Sequence, residues 1–158
     1  MARDIIPFMR ADARCQAAII KEDHILVLKV WDHSSSGSRF RVLPGGARIG
    51  EESEEECVRR EIMEETHLEV RVGRLILEEP ALPDGMYRRI KTYLCRIVGG
   101  NAMPGMEPEI DTEGKNTIQR IEWYDLRDSE RWEELRRDDP IIYRQLHAIR
   151  VALDYTGK

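Results

Sequence analysis

The stretch that decides the fold of this chain is Gly46-Ala-Arg-Ile-Gly-Glu-Glu-Ser-Glu-Glu-Glu-Cys-Val-Arg-Arg-Glu-Ile-Met-Glu-Glu-Thr-His-Leu68. It begins with a glycine-containing turn and continues with a short, very acidic segment. Ser53 is a favourable N-cap residue, and Glu56 three positions later completes a Ser-x-x-Glu capping box. The pattern predicts a helix from about Glu54 to about Thr66.

The acidic residues of this helix form two sets. In the first set, Glu55 and Glu56 each precede an arginine by four positions, Arg59 and Arg60 respectively. This order of acid before base is the favourable one on a helix. We therefore predict two ordinary ion pairs on a solvated face.

The second set, Glu61, Glu64 and Glu65, falls within an arc of about 100° on the helix. Val58 and Ile62 border that arc, so the three carboxylates are predicted beside the buried side of the helix. Like charges at this spacing repel, and more strongly where water is excluded. Hard divalent cations relieve such repulsion and prefer carboxylate oxygens. A solvated acidic face is the alternative that the glutamates alone leave open.

The spacing of the whole stretch matches the Nudix box, Gly-x5-Glu-x7-Arg-Glu-U-x-Glu-Glu-x-Gly-U, where U is a bulky aliphatic residue. The matching residues are Gly46, Glu52, Arg60, Glu61, Ile62, Glu64, Glu65 and Leu68. The chain therefore resembles the Nudix hydrolases over residues 46–68. His67 departs from the pattern, because the family has glycine there, in a turn that is usually left-handed. Histidine is among the residues enriched in that conformation, so we expect the turn to survive.

The resemblance implies an α/β fold, an α/β/α sandwich with a mixed β-sheet in which the box forms a loop-helix-loop. It also implies a bound Mg²⁺ ion, with Mn²⁺ as the alternative. Carried onto this sequence, the metal ligands are Glu61, Glu64, Glu65 and a backbone carbonyl in the Gly46 region. For Glu64 the resemblance implies either binding of a second ion or acceptance of a proton from the attacking water.

The implied reaction is attack of water on the pyrophosphate of a nucleoside diphosphate linked to another group. The resemblance places Arg60 and Glu52 as catalytic-site partners that brace the loop against the helix. Family members often add an acid from a later loop as general base. Glu113 is our candidate, and Glu107 and Glu109 fit nearly as well.

Substrate specificity is less evident in the sequence. Pro83 lies 15 residues after Leu68 and resembles a marker of the ADP-ribose branch, but its usual companion residues are missing. A nucleoside triphosphate and an ADP-ribose-like conjugate both remain open. Trp31, Tyr87 and Tyr93 are candidates for stacking on a base, although core packing is the commoner role. Candidates for contacting phosphates lie on the predicted strand 87–98, although a solvated strand face is the commoner role: Arg88, Arg89 and Lys91.

Composition narrows the functional class. The 158 residues carry a net charge of −5, with 41% hydrophobic and 35% charged residues, which is typical of one globular domain, here 1–158. The negative charge argues against general binding to nucleic acid or anionic membranes. Cys15, Cys57 and Cys95 are predicted as core residues in a reducing compartment. The N-terminus lacks the apolar core of a signal peptide, so we predict a cytoplasmic location.

Strand and helix signals alternate along the chain without a regular βαβ repeat, which predicts a mixed sheet with helices on both faces. After a loose lead-in over residues 1–13, a hairpin is followed by further strands and two C-terminal helices. The predicted strands are 15–20, 25–31, 39–43, 69–77, 87–98 and 117–124, and the predicted helices beyond the box are 129–137 and 140–153.

The main hypothesis is thus a metal-dependent pyrophosphohydrolase acting on a small nucleotide. The alternative is a non-catalytic nucleotide-binding sensor built on the same fold. Dimers are common in the family, so a homodimer is also considered. Metal-dependent turnover on a panel of nucleotides discriminates the enzyme from the sensor.

Overall fold

The computed structural model describes residues 11–33, 37–80, 87–105 and 116–155. All the strands expected from the sequence are present, most of them longer than predicted. The elements are β1 (Ala11–Lys21), β2 (His24–Asp32), β3 (Arg39–Val42), β4 (Gly45–Gly46), α1 (Glu54–Thr66), β5 (Leu68–Pro80), β6 (Tyr87–Gly100), β7 (Asn116–Asp125), a 3₁₀ turn (Ser129–Arg131), α2 (Glu133–Asp138) and α3 (Pro140–Ala152).

The strands form a mixed sheet, as predicted. Its order is β3-β2-β1-β6-β5, with β4 paired to β1 and β7 paired to β2. The strands β1 and β2 form the expected hairpin around Glu22 and Asp23, whose φ angles of 51° and 66° suit a tight turn. They pair next to that turn, at Lys21 with His24 and at Ile20 with Ile25. The earlier part of β1, from Ala11 to Ile19, pairs with β6.

Helices cover both faces of the sheet, which gives the expected α/β/α arrangement. The helix α1 packs one face through the buried Cys57, Val58 and Ile62. The other face is covered by α3 and by the residues before it, including the fully buried Trp132 and Leu135. The three cysteines are buried, which confirms their prediction as core residues.

Three details of the prediction are wrong. The predicted lead-in over residues 1–13 is too long, because β1 already begins at Ala11, where it pairs with Tyr87 of β6. The helix predicted over 129–137 is divided by Trp132, whose backbone leaves the helical pattern where its side chain enters the core.

The sequence also predicts that the apolar side of α3 consists of Ile141, Ile142, Leu146, Ile149, Val151 and Leu153, and this prediction is partly wrong. Ile142, Leu146 and Ile149 are buried, whereas Ile141 and Val151 are 47% and 66% exposed. The three buried residues lie four and three positions apart, so they form one narrow stripe along the helix. Ile141 and Val151 fall outside this stripe.

No helix in the described parts of the chain combines the length and the apolar character needed to cross a bilayer.

Candidate active site

The start of α1 is fixed by the capping box that the sequence predicts. The Ser53 hydroxyl accepts a hydrogen bond from the Glu56 amide at 3.0 Å, and the Glu56 carboxylate accepts one from the Ser53 amide at 2.8 Å. Because Glu56 is used in this way, the predicted Glu56–Arg60 ion pair does not form. The other predicted pair, Glu55 with Arg59, is present on the exposed face.

The end of α1 is the left-handed turn expected at His67, with φ 65° and ψ 17°. Its amide donates to the Met63 carbonyl at 3.0 Å, and its ring Nδ1 lies 3.1 Å from the Met103 carbonyl oxygen. The segment after β6 is held against this end of the helix by two backbone hydrogen bonds. The Met103 amide donates to the Thr66 carbonyl, and the Gly105 amide donates to the Glu65 carbonyl. The substitution of glycine by histidine is therefore accommodated without loss of the turn.

Arg60 ties the box helix to the loop that precedes it. Its Nε and Nη2 atoms donate to the two carboxylate oxygens of Glu52 at 2.9 and 2.7 Å, a bidentate arrangement. Nη2 also donates to the Ala47 carbonyl at 3.1 Å. The Glu52 carboxylate accepts a further bond from the Ile49 amide at 2.9 Å. The hydrogen bonds from Arg60 are the main cause that lowers the pKa of Glu52.

The remaining nitrogen of Arg60 reaches two of the candidate metal ligands. Nη1 lies 3.0 Å from the Glu61 carboxylate and 3.2 Å from that of Glu64. The sequence predicts no basic partner for Glu61, because no lysine or arginine lies one turn away from it on the helix. Arg60, the preceding residue, is nonetheless its partner, because Nη1 lies within hydrogen-bonding distance of the Glu61 carboxylate.

Glu61 and Glu65 are almost fully buried, with exposed fractions of 3% and 1%. One carboxylate oxygen of Glu65 accepts a hydrogen bond from the Gly45 amide at 3.0 Å. The carboxylate of Glu64 is about one third exposed. In the parts of the chain that the structure describes, no three acidic, histidine or cysteine side chains are arranged closely enough to hold an ion. The predicted ligands thus share one side of α1, but their oxygens are engaged elsewhere.

The strand β4 brings the backbone of Gly46 to this side of the helix. Its carbonyl accepts a hydrogen bond from the Cys57 thiol at 3.6 Å. Cys15 of β1 is the strand partner of Gly46. A side chain at Gly45 would come within 2.5 Å of the Cys15 carbonyl, so only glycine allows this close approach.

The first residue of α1 is anchored to β6 by contacts that sequence reasoning missed. Lys91 donates to the Glu54 carboxylate at 2.8 Å, and the Tyr93 hydroxyl donates to its other oxygen. Burial acts to raise the pKa of Glu54, but these hydrogen bonds outweigh it and keep the pKa below its ordinary value. Lys91 and Tyr93, considered for binding phosphate and base, are therefore occupied. Arg89 is likewise paired, with Glu78 at 2.6 Å.

Trp31, another candidate for base stacking, lies on the face of the sheet opposite α1. Its neighbour Val30 packs in the cluster that contains α1, and successive side chains of a strand point to opposite faces. The Trp31 ring contacts the guanidinium of Arg39, 4.5 Å from the ring centroid, and the ring of His33. Tyr87 is buried at the start of β6. The candidate base Glu113, its alternatives Glu107 and Glu109, and Pro83 lie outside the described residues.

Several solved structures share this fold. The solution structure of the E. coli ORF135 protein has a TM-score of 0.62 and 18% identity, covering 96% of each chain. A MutT NUDIX hydrolase from Burkholderia pseudomallei has a TM-score of 0.57 and 24% identity, covering 75% of this chain and 86% of that one. An ADP-ribose pyrophosphatase from Streptococcus suis has a TM-score of 0.50 and 24% identity, covering 73% and 75% respectively.

The curated proteins include no match to this chain. A family model described as the NUDIX domain matches residues 10–146, which is most of the 158-residue sequence. The match includes the box helix, the glycine loop before it and the strands that hold both. The chain therefore belongs to the Nudix family of hydrolases.

Proposed function

We propose that this protein hydrolyses the pyrophosphate bond of a nucleoside diphosphate linked to another group, using a divalent cation. The observation that carries this proposal is the burial of Glu61 and Glu65 on one side of α1, next to the glycine loop of β4. Buried carboxylates need a positive partner, and a pyrophosphate needs positive charge to approach an acidic site.

The donor set suits a hard divalent cation. The carboxylates of Glu61, Glu64 and Glu65 and the carbonyl of Gly46 are all oxygen ligands, which Mg²⁺ and Mn²⁺ prefer. Binding would require Glu61 and Glu64 to exchange their contacts with Arg60 Nη1 for the ion. When bound, the ion supplies positive charge at the pyrophosphate and makes water more acidic.

The exposure and contacts of the protein residues suggest a different role for each of them in the reaction. Glu64 is the most accessible of the three glutamates, so it is our candidate for accepting a proton from the attacking water. Arg60 and Glu52 hold the glycine loop in place, because their bidentate pair connects the helix to that loop. Glu113 is retained as an additional base on the family resemblance alone.

The names of structural relatives support a small nucleotide conjugate as substrate. They include an ADP-ribose pyrophosphatase, an ADP compounds hydrolase and a UDP-X diphosphatase. A nucleoside diphosphate conjugate is therefore our first choice, with nucleoside triphosphates as the alternative. One domain over 1–158, a cytoplasmic location and a homodimer remain predictions.

The test is release of phosphate-containing products from nucleoside triphosphates, ADP-ribose, dinucleoside polyphosphates and sugar nucleotides. Each substrate is assayed with Mg²⁺, with Mn²⁺ and with chelator, for wild type, Glu65→Gln and the control Glu55→Gln. Turnover that requires metal, is lost in Glu65→Gln and persists in Glu55→Gln would support the proposal. Turnover in chelator would overturn the requirement for a cation.

A nucleotide sensor is the second candidate, and one contact favours it. Arg60 already neutralises Glu61 and Glu64, so the fold does not depend on a metal ion to relieve their repulsion. A sensor would bind a nucleotide from the same panel, as measured by calorimetry, and release no product with either metal. Product release with any substrate excludes the hypothesis of a non-catalytic sensor.

A further inference from the structure

A cavity lies on the face of the sheet opposite α1. It is an open pocket of about 500 Å³ beside β5, β6 and the end of α3. Three of its lining residues, Ile20, Leu153 and Tyr155, pack with the cluster of α3 rather than with that of α1. The pocket is therefore separate from the box carboxylates.

Two arginines line this pocket and lie side by side on adjacent strands of the sheet. Arg71 of β5 and Arg96 of β6 are direct cross-strand partners, and both are exposed. Like charges in this position destabilise a strand pair. Within the described ranges, neither guanidinium has an ion pair or a hydrogen bond. No acidic side chain among the described residues compensates the positive charge of this pair. An anion bound in the pocket would compensate it.

The other walls of the pocket are apolar or aromatic. Ile20, Leu94 and Leu153 supply aliphatic surface next to the arginines. The Tyr155 ring is held in place, because its hydroxyl donates to Asp23 at 2.6 Å and its amide donates to the Arg150 carbonyl at 2.8 Å. A fixed aromatic wall beside two cations suits a ligand with an anionic end and a flat or apolar body.

We propose that this pocket binds an organic phosphate, with Arg71 and Arg96 holding the phosphate and Tyr155 and the aliphatic residues packing on the body of the ligand. The volume falls within the range of about 300–1,000 Å³ that is usual for small-molecule sites. Arginine forms bidentate hydrogen bonds with phosphate oxygens, and paired arginines match the charge of a phosphomonoester. The proposal does not depend on the hydrolytic reaction.

Isothermal titration calorimetry on the full chain tests this site, with adenosine 5′-monophosphate, inorganic phosphate and adenosine as the three probes. Chelator is present throughout, so the acidic box holds no cation and repels the phosphate probes. We expect the monophosphate to bind at least about tenfold more tightly than either of the other probes, because only it uses both parts of the pocket. Equal affinity for inorganic phosphate would overturn the role of the apolar walls.

Variants locate the binding. The double variant Arg71→Gln/Arg96→Gln should weaken binding of the monophosphate at least about tenfold, because both charge-assisted contacts are lost. The matched control is Arg144→Gln, an exposed arginine of α3 that does not line the pocket, which should bind like wild type. Circular dichroism and the melting temperature of each variant show that the fold is kept.

Two results would overturn the proposal. One is an absence of monophosphate binding at concentrations up to about 10 mM, which is weaker than a specific site would give. The other is binding that survives the double variant with the affinity of wild type, which would place the ligand outside this pocket. Failure of hydrolysis in the substrate panel would leave this calorimetric result unaffected.

Discussion

Arg60 Nη1 lies 3.0 Å from the carboxylate of Glu61, the next residue in the chain. The other edge of the same guanidinium binds both oxygens of Glu52. Glu61 is 3% exposed, so its charge is compensated by the protein rather than by water. The box helix therefore carries its own counter-ion, and a divalent cation that binds Glu61 must compete with it.

Removal of this counter-ion should make the stability of the protein depend on metal. In chelator, we expect Arg60→Gln to lower the free energy of unfolding by about 2–4 kcal/mol, because partly buried Glu52 and buried Glu61 lose their cation. Added Mg²⁺ should then raise the melting temperature of the variant more than that of wild type. The control Arg59→Gln breaks an exposed pair and should cost less than about 1 kcal/mol. Equal metal-induced shifts in wild type and Arg60→Gln would contradict the competition.

A substitution at Glu65 can remove the negative charge of its side chain and keep its hydrogen bond with the Gly45 amide. In Glu65→Gln the side-chain amide oxygen can still accept the hydrogen bond from the Gly45 amide, so the melting temperature should change by only a few degrees. The metal-dependent kcat should fall at least about a hundredfold, because a charged ligand is lost. Steady-state kinetics at saturating Mg²⁺ measure this. Activity within a fewfold of wild type would remove Glu65 from the set of metal ligands.

The local features of the box could be predicted from the sequence because they depend on residues within one or two helical turns. The capping box at Ser53, the helix end at Thr66 and the left-handed His67 all depend on near neighbours. The Arg60 contacts show the limit of such reasoning. Its position on the helix allows pairs with Glu56 and Glu64, and the capping role of Glu56 leaves Glu64 as the partner one turn away. The contact with Glu61, the next residue, does not follow from helical spacing.

Contacts between distant parts of the chain could not be predicted in this way. Lys91 and Tyr93 reach Glu54 only because β6 lies beside β1 and under the start of α1. Trp31 follows a buried strand residue, but the sequence does not say which face of the sheet the box helix covers. The pairing of β1 with β6 and the position of α1 settle both questions, and they depend on the whole topology.

A third prediction concerns a buried arginine that connects the sheet with the C-terminal helices. Arg41 donates to Glu122 at 2.7 Å and to Asp139, 98 residues away, at 2.5 Å. Its side chain is 3% exposed. Arg41→Met should lower the free energy of unfolding by about 3–5 kcal/mol, because two largely buried carboxylates lose their partner. Urea denaturation measures this, and the exposed Arg120→Met is the control, with an expected loss below about 1 kcal/mol.

The same cluster should make stability depend on pH. Burial acts to raise the pKa of Glu122, but hydrogen bonds from Arg41, Tyr124 and Arg120 outweigh it and lower the pKa from the ordinary value of 4.5. The unfolded chain therefore takes up this proton at a higher pH than the native protein. The contribution to stability is complete above the unfolded pKa and is lost as the pH falls through the native one.

The stability difference between wild type and Glu122→Gln should thus be largest at neutral pH and should shrink as the pH falls below the ordinary pKa of 4.5. Urea denaturation at several pH values measures both proteins under identical conditions. A difference that stays constant as the pH falls would show that the Glu122 carboxylate does not contribute through its charge.

His67 gives the last prediction, because its backbone conformation favours glycine. At φ 65° a residue with a Cβ atom is strained by about 1 kcal/mol relative to glycine. The ring contact with the Met103 carbonyl offsets part of this cost. His67→Gly should therefore change the free energy of unfolding by less than about 1 kcal/mol, whereas His67→Ala keeps the strain, loses the contact and should be the less stable of the two. Neither variant removes an acidic oxygen, so metal-dependent kcat should stay within a fewfold of wild type; a large loss in His67→Gly would give the histidine a role in the reaction.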